Sequence, residues 1–302
     1  MRIYSCSNWG LKFLGIVNDW WKEHGHEVQW TLGYDPALHE WSDLCWVDVA
    51  DHNAHIASQY RFPHSKLVVR IIDIEAWVQQ PTGVNWQNVD VVVFGAKHIE
   101  ELVRSYLTFP DGLRVEHIPF GVDLRKWSFR ERDGKSKEVA CIAHRWGAKG
   151  LDLLLQVMAA LGPGWRLHLL GTKSGGDKWL HAYTEHFISE LGLVVVETDS
   201  VKDVNLWLED KDYLIVSSLK ESFSYAAAEA AAKGIKPLIH NFWRAKDIWP
   251  HNWIWNKVSE CVTMIQSSQY DSREYREYIE KNYSLDLMMK RIEAACFQER
   301  QR

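Results

Sequence analysis

Three features are missing from this chain of 302 residues: a long apolar run, a paired-cysteine motif and an excess of positive charge. No stretch approaches the roughly 18 apolar residues that a membrane-spanning helix needs, so we expect no transmembrane segment. The opening residues, MRIYSCSNWG, are not a charged leader followed by an apolar run, so we expect no signal peptide. The expected location is the cytoplasm, and a peripheral contact at the inner face of the membrane remains open.

The cysteines are few and scattered. They form no CxxC pair and no cluster with histidine at metal-ligand spacing, which predicts a reducing compartment and no metal site. The formal net charge is -5 at pH 7, so no overall positive field exists to hold nucleic acid or an anionic membrane. The five cysteines are Cys6, Cys45, Cys141, Cys261 and Cys296.

What the sequence does contain is an alternation of short apolar runs with segments of helical periodicity, such as Leu11, Leu14, Val17 and Trp21. Strands that alternate with helices form a parallel sheet covered on both faces, so the predicted fold class is α/β. Predicted strands include Val28–Thr31, Cys45–Val49, Leu67–Ile72, Asp90–Phe94, Val139–Ala143, Arg166–Leu170, Val194–Glu197, Tyr213–Val216 and Pro237–Ile239. Predicted helices include Lys97–Leu107, Leu151–Leu161, Val201–Glu209 and Phe223–Lys233.

A polar, charged stretch, RERDGKSKE from Arg130 to Glu138, interrupts the alternation. Such composition is typical of an interdomain linker. We therefore predict two doubly wound, Rossmann-like domains in tandem. The predicted limits are 1–130 for the N-terminal domain, 131–138 for the linker, 139–284 for the C-terminal domain and 285–302 for a terminal helix that packs back on the first domain.

Ligands bind parallel α/β sheets beyond the carboxyl ends of the strands, so the loops that follow strands are the candidates for a site. The loop AHRWGAKG, from Ala143 to Gly150, places Arg145 and Lys149 before a helix. Free amides, the helix dipole and two cations suit a diphosphate. A solvated loop with two surface cations is the alternative.

A second candidate is the run YLIVSSLKESFSYAAAEAAAKGIKP, in which Glu221 lies at the mouth of an alanine-rich helix and Glu229 about two turns further on. Alanines permit a close approach, and a carboxylate can accept both hydroxyls of a ribose. Alternatively, Glu221 caps the helix and Glu229 is a surface charge. A third candidate is GTKSGG, from Gly171 to Gly176, which includes Thr172 and lacks the ending of a phosphate-binding P-loop.

Five stretches together resemble the family 4 retaining glycosyltransferases of GT-B fold. The two most informative features are a glutamate pair separated by seven residues and followed by a Gly-x-x-Pro stop, and the combination of IPFGVD with RWGAKG. The stretches follow the order of the family along most of the chain. They are GHEV at 25–28, NVDVVVFGAKHIEELV at 88–103, IPFGVDLRKW at 118–127, RWGAKGLDLLLQVMAAL at 145–161 and ESFSYAAAEAAAKGIKPLI at 221–239.

The resemblance implies two domains facing across a cleft, with a nucleotide-sugar donor on the second. It implies that Arg145 and Lys149 bind the donor diphosphate, that Glu229 holds the ribose and that Glu221 lies beside the donor sugar. The remaining implied donor contacts are the amides of Ser222 and Phe223 with the neighbouring Ser224, the Gly171–Thr172 turn, the loop containing Asp199 and Val201 beside the base, and Gly10 beside the diphosphate.

The N-terminal half departs from the family. A histidine is expected where this chain has RIIDIE, from Arg70 to Glu75. Either Asp73 or Glu75 takes its place, or a histidine of the preceding DVADHNAH segment, His52 or His55, reaches the sugar, and Asp51 is a further candidate because it follows a strand. Which of these residues acts on the acceptor side stays open.

The implied activity is transfer of a sugar, with retention of anomeric configuration, from a nucleoside diphosphate sugar, with a UDP-sugar favoured. No metal or other cofactor is expected. The expected acceptor is a saccharide or lipid-linked saccharide of envelope polysaccharide synthesis, and the runner-up is a modified DNA base, as in viral glucosyltransferases. A non-catalytic protein that binds nucleotide sugars is the alternative of another class, while the chain is short for a phosphorylase.

Overall fold

The computed structural model describes residues 1–9, 11–173 and 178–297. The chain divides into two compact units. Unit 1 comprises Met1–Gly121 and Asp286–Arg302, and unit 2 comprises Val122–Leu285.

Unit 1 is built on a parallel sheet of order β2-β1-β3-β4-β5-β6. Strands β3 and β5 are apolar and buried along their length, whereas β2 at the edge is partly exposed, as expected for a sheet covered on both faces. The strands are β1 Arg2–Cys6, β2 Glu27–Thr31, β3 Leu44–Val47, β4 Lys66–Ile71, β5 Val91–Phe94 and β6 Arg114–His117. The helices are α1 Leu11–Glu23, α2 Pro36–Trp41, α3 His52–Ala57, α4 Ile74–Trp77 and α5 Lys97–Arg104.

Unit 2 contains a second parallel sheet, of order β12-β11-β10-β7-β8-β9. Its strands are β7 Glu138–Ile142, β8 Arg166–Leu170, β9 Val194–Thr198, β10 Tyr213–Val216, β11 Lys236–His240 and β12 Ile254–Trp255. Its helices are α6 Leu151–Leu161, α7 Lys178–Glu190, α8 Val204–Trp207, α9 Tyr225–Ala232, α10 Val258–Gln266 and α11 Ser272–Tyr283. The last helix, α12 Leu285–Phe297, belongs to unit 1 from Asp286 onward.

The strand order of unit 2 reverses between β7 and β10. From β7 the chain builds outward through β8 to β9, then returns to the other side of β7 and builds outward through β10, β11 and β12. Ligands of parallel α/β sheets bind at the carboxyl edge where the strand order reverses, and the loops after β7 and β10 lie at this point.

The alanine-rich helix α9 packs against α11 and against strands β10 and β11. Its alanines, apart from Ala226, are fully buried. Small side chains thus bring this helix close to the sheet and to α11, which accounts for most of the alanines without a ligand.

The prediction of two parallel, doubly wound α/β sheets is confirmed. Several predicted bounds were wrong. Helix α9 begins at Tyr225 and ends at Ala232, and the helix predicted for Val201–Glu209 is the single turn Val204–Trp207. Within the predicted linker, Arg132 is buried and β7 already begins at Glu138. Residues 298–302 of the predicted terminal helix lie outside the described residues.

Candidate functional site

The loops after β7 and β10 meet at the point where the strand order of unit 2 reverses. Lys149, in the first loop, and Glu221, in the second, form an ion pair there, with Nζ 2.6 Å from Oε1. Both side chains are partly buried, and about a quarter of the lysine side chain is exposed. The structure therefore places a cation and a carboxylate, each within reach of solvent, at the carboxyl edge of the sheet.

Backbone contacts hold the two loops together. Gly150 has φ +60°, and a Cβ atom there would lie 2.2 Å from the carbonyl oxygen of Ser217. The Ser217 hydroxyl donates to the carbonyl of Lys149 at 2.8 Å, and the amide of Leu219 donates to the carbonyl of Ala148 at 2.9 Å. Only glycine allows this close approach, so the backbone on either side of Lys149 is fixed.

Glu221 is not a helix cap. Ser224 occupies the N-cap position of α9, and its hydroxyl oxygen accepts from the amide of Ala227 at 3.4 Å. Glu221 instead accepts from Lys149 and from the Ser218 hydroxyl, at 2.7 Å. The capping alternative considered for Glu221 was therefore wrong. Glu229 lies within α9 and is half-buried.

Ser222 and Phe223 are buried. The ring of Phe223 packs against Trp249 and Tyr283, with centroids 5.3 and 5.1 Å away. The Phe223 side chain is thus part of the core of unit 2, and it fixes the backbone of the segment that joins Glu221 to α9.

Arg145 is folded back onto the ends of the strands rather than presented to solvent. Its side chain is buried, with 1% of the residue exposed. Nη1 donates to the carbonyl of Ala143 at 3.0 Å, and Nη2 donates to the carbonyl of Leu169 at 3.4 Å. Burial lowers the pKa of Arg145, and nearby Glu197 acts in the opposite direction. The structure places Arg145 in the predicted loop, but with its guanidinium turned inward.

Glu197, near the end of β9, links Arg145 to a second cation. Its Oε1 lies 3.6 Å from Arg145 Nη2, and its Oε2 lies 2.8 Å from Lys173 Nζ. Lys173 follows β8 and is 38% exposed. Sequence reasoning missed both residues as members of the site. The signal was present, because Glu197 ends a predicted strand and Lys173 lies in the GTKSGG loop.

The turn after β8 is tightly packed. Gly171 has φ +145°, and a Cβ atom there would lie 2.2 Å from the carbonyl oxygen of Ala143. The carbonyl of Thr172 accepts from the amide of Arg145 at 3.2 Å. Beyond β9, Asp199 is exposed and Val201 is half-buried. The predicted Gly10 and Ser174 to Gly176 lie outside the described residues.

In unit 1 the predicted acidic residues bond to neighbouring backbone and side chains. Asp51 caps α3, accepting from the amide of Asn53 at 2.9 Å, and also accepts from Asn8 Nδ2 at 3.0 Å. Asp73 accepts from Trp77 Nε1 at 3.1 Å. Glu75 is buried and accepts from the amides of Ile72 and Asp73, and burial raises its pKa.

The two candidate histidines of unit 1 differ. His52 is exposed at the start of α3. His55 has Nε2 2.7 Å from the carbonyl of Gln80, and its ring fills the space where Gly83 would carry a Cβ atom. His55 therefore has a structural role in holding the 80–83 turn.

A buried ion pair that sequence reasoning missed joins Asp48, just after β3, to Arg70 in β4. Trp46 Nε1 donates to Asp48 at 3.0 Å, and the guanidinium of Arg70 lies 4.8 Å from the centroid of Phe120. Both charged side chains are almost completely excluded from solvent. The pair thus belongs to the core of unit 1 and is not accessible to a ligand.

Two features are absent from the described part of the chain. No group of three or more His, Cys, Asp or Glu residues there could hold a metal ion. None of the described helices is long and apolar enough to cross a membrane.

Comparison with known families gives a match to one sequence profile. Residues 125–252 match the family described as glycosyl transferases group 1. This segment contains Lys149, Glu221, Arg145 and Glu197. A search of curated proteins found no significant match.

Three solved structures that resemble the chain are those of glycosyltransferases with the GT-B fold. Sucrose-phosphate synthase from Thermosynechococcus elongatus is 12% identical with a TM-score of 0.78, over 97% of this chain and 98% of that one. HepE of Anabaena, in complex with UDP and glucose, is 14% identical with a TM-score of 0.76 and the same coverage. The lipopolysaccharide outer core galactosyltransferase WaaB is 15% identical, with a TM-score of 0.68 over 98% and 99% of the two chains. The chain therefore has the GT-B fold.

Proposed function

We propose that this chain, whose residues 125–252 belong to the glycosyl transferases group 1 family, transfers a sugar from a nucleoside diphosphate sugar to a hydroxyl group of a saccharide or lipid-linked saccharide, with retention of anomeric configuration. The observation that carries the proposal is the Lys149–Glu221 pair, at the reversal of strand order and inside the matched segment. A UDP-sugar is the favoured donor, because the similar HepE has been solved with UDP-glucose.

Lys149 has the chemistry that a departing diphosphate needs. Negative charge develops on the leaving phosphate oxygens as the glycosidic bond breaks, and a preorganised cation at a partly buried site stabilises it. The backbone contacts around Gly150 hold Lys149 at the carboxyl edge. With this cation in place, we expect the transfer to proceed without a metal ion.

Glu221 lies next to Lys149 and has the chemistry to accept hydrogen bonds from sugar hydroxyls. Ser218 and Lys149 already orient its carboxylate. In the proposed reaction the donor binds where the two loops meet. The Lys149 side chain then turns to the phosphate, and the Glu221 carboxylate turns to the sugar. Retention follows if the acceptor attacks on the face that the phosphate leaves, with a phosphate oxygen taking the acceptor proton.

The test is a transfer assay with UDP-glucose, UDP-galactose and GDP-mannose as donors and a panel of oligosaccharide acceptors, in the presence of EDTA. We expect release of one nucleoside diphosphate and an NMR product spectrum with the anomeric configuration of the donor. Lys149→Met and Glu221→Gln should each lower kcat by roughly 100- to 1,000-fold, the range for loss of one preorganised charge-stabilising group. Lys281→Met, at an exposed position of α11, is the matched control and should leave kcat unchanged.

Inversion of configuration, or loss of activity in EDTA that is restored by a divalent metal ion, would contradict the proposed chemistry. Donor binding without any turnover would support the alternative, a non-catalytic protein that binds nucleotide sugars.

A further inference from the structure

The inward position of Arg145 depends on a carboxylate from another strand. An arginine side chain has five N–H donors in a planar group and stays charged in proteins. Here the guanidinium is buried at the ends of β7 and β8, and its ion-pair partner is Glu197 of β9. Since a buried charge without a partner is costly, Glu197 is the group that allows the guanidinium to stay in this position.

The inward position satisfies the guanidinium only partly. Nη2 is 3.4 Å from the carbonyl of Leu169 and 3.6 Å from Glu197, both long for a charge-assisted hydrogen bond. Nε is buried and has no hydrogen-bond partner among the described residues. A buried donor left unsatisfied costs roughly 1–3 kcal/mol. An anion that gave this group better hydrogen bonds could therefore draw it out.

Glu197 also faces Lys173, the exposed cation of the neighbouring loop. The two oxygens of the carboxylate serve different cations, with Oε2 on Lys173 and Oε1 toward Arg145. Leu169 and Glu197 are paired in register across β8 and β9, so the carboxylate is held by the sheet and not by a mobile loop. Lys173 has a second acidic neighbour in Glu185, 3.5 Å away.

We infer that Glu197 is a positioning residue, which retains Arg145 at the ends of the strands and competes with the diphosphate of the donor for its guanidinium. The inference rests on the proposed function, because it takes the anion to be a nucleoside diphosphate. Glu197 thereby weakens donor binding and leaves Arg145 inward until a diphosphate displaces the carboxylate.

The proposed competition predicts that the chain binds UDP more tightly when the charge of Glu197 is removed. Calorimetric titration with UDP should give a Kd roughly 5- to 10-fold lower for Glu197→Gln than for the unaltered chain, within the usual range for coupled equilibria. Glu197→Asp, with a shorter carboxylate, should lie between the two. In an Arg145→Met background, Glu197→Gln should give no gain, because the group for which the two anions compete is gone.

Glu185→Gln is the matched control. It removes a negative charge that faces Lys173 but does not form the Arg145 ion pair, so the Kd for UDP should stay within about twofold. A merely structural Glu197 would give weaker binding, or a lower melting temperature with unchanged Kd. The inference would also be overturned if Glu197→Gln kept its gain without Arg145, or if Glu185→Gln matched it.

Failure of the proposed function has a different signature. If neither the unaltered chain nor any variant binds UDP, GDP or ADP, both the donor site and the competition are wrong. If the unaltered chain binds UDP and Glu197→Gln does not bind it more tightly, only the inference about Glu197 falls.

Discussion

The carboxyl edges of the two sheets use their charged residues in different ways. In unit 2, Lys149 pairs with Glu221 of a neighbouring loop, and Lys173 pairs with Glu197 near the end of β9. All four side chains remain partly exposed. In unit 1, Asp48 and Arg70 are buried against each other. A charged pair can exchange a protein partner for a ligand where at least one of its members reaches solvent. The pairs of unit 2 meet that condition, whereas the Asp48–Arg70 pair does not.

In unit 1, a position after a strand is not enough to identify an acidic residue as part of a ligand site. Asp51 and Glu75 both follow strands, as site residues do, but one caps a helix and the other accepts from two backbone amides. Hydrogen bonds to local groups occupy part of the acceptor capacity of each carboxylate and give it a structural role without a ligand. The comparison therefore predicts that charge changes at the unit 1 edge affect stability, whereas charge changes at the unit 2 edge affect ligand binding.

The largest expected effect is on the Asp48–Arg70 pair. Arg70→Met leaves the Asp48 carboxylate buried without its cation, which should lower the free energy of unfolding by about 3–5 kcal/mol. Lys149→Met is the comparison variant, because its partner Glu221 can still reach solvent, and it should cost less than about 1 kcal/mol. Differential scanning calorimetry of the two variants measures both effects. Equal losses of unfolding free energy in the two variants would contradict the distinction between the carboxyl edges of unit 1 and unit 2.

A smaller effect is expected on acidification, through His39 of unit 1. This histidine is buried, and burial lowers its pKa to about 4. Between that value and the ordinary pKa of about 6.5, the unfolded chain binds a proton that the folded chain does not. Stability is therefore lost as the pH falls through this window, by about 1.5 kcal/mol between pH 6.5 and 5, because the slope approaches about 1.36 kcal/mol per pH unit only once the unfolded histidine is protonated.

The check is the melting temperature at pH 7, 6 and 5 for the unaltered chain and for His39→Gln. The variant cannot titrate in this window and should lose less stability on acidification. Parallel pH profiles for the two proteins would show that other groups govern the acid response.

The fold was predictable because apolar runs alternate with helical periodicity along both halves. Elements of one or two turns were not predictable: α3 and α4 are too short to show a helical period, and α8 is much shorter than predicted. The first turns of α3 and α8 depend on the side-chain caps Asp51 and Asp203, and the sequence only weakly encodes which of several neighbouring positions acts as the cap.

The candidate site was predictable where motif and topology agree. The structure brings Lys149 and Glu221 together, although they come from separate stretches of sequence. The inward turn of Arg145 was not predictable, because it requires Glu197 of β9 to lie opposite Leu169 of β8, and the register between these two strands is a tertiary property. The RWGAKG motif identifies the loop that contains Arg145, but the direction of the Arg145 side chain depends on the packing of the sheet.

The central claim, that the carboxyl edge of unit 2 binds a nucleoside diphosphate through Lys149, is tested most directly by calorimetric titration of the unaltered chain and of Lys149→Met with UDP, GDP and ADP. The account predicts saturable binding, strongest for UDP, and at least roughly tenfold weaker binding for Lys149→Met, since a charge-assisted hydrogen bond contributes about 1.5–3 kcal/mol. Absence of binding by all three nucleotides, or equal affinity in the variant, would contradict it.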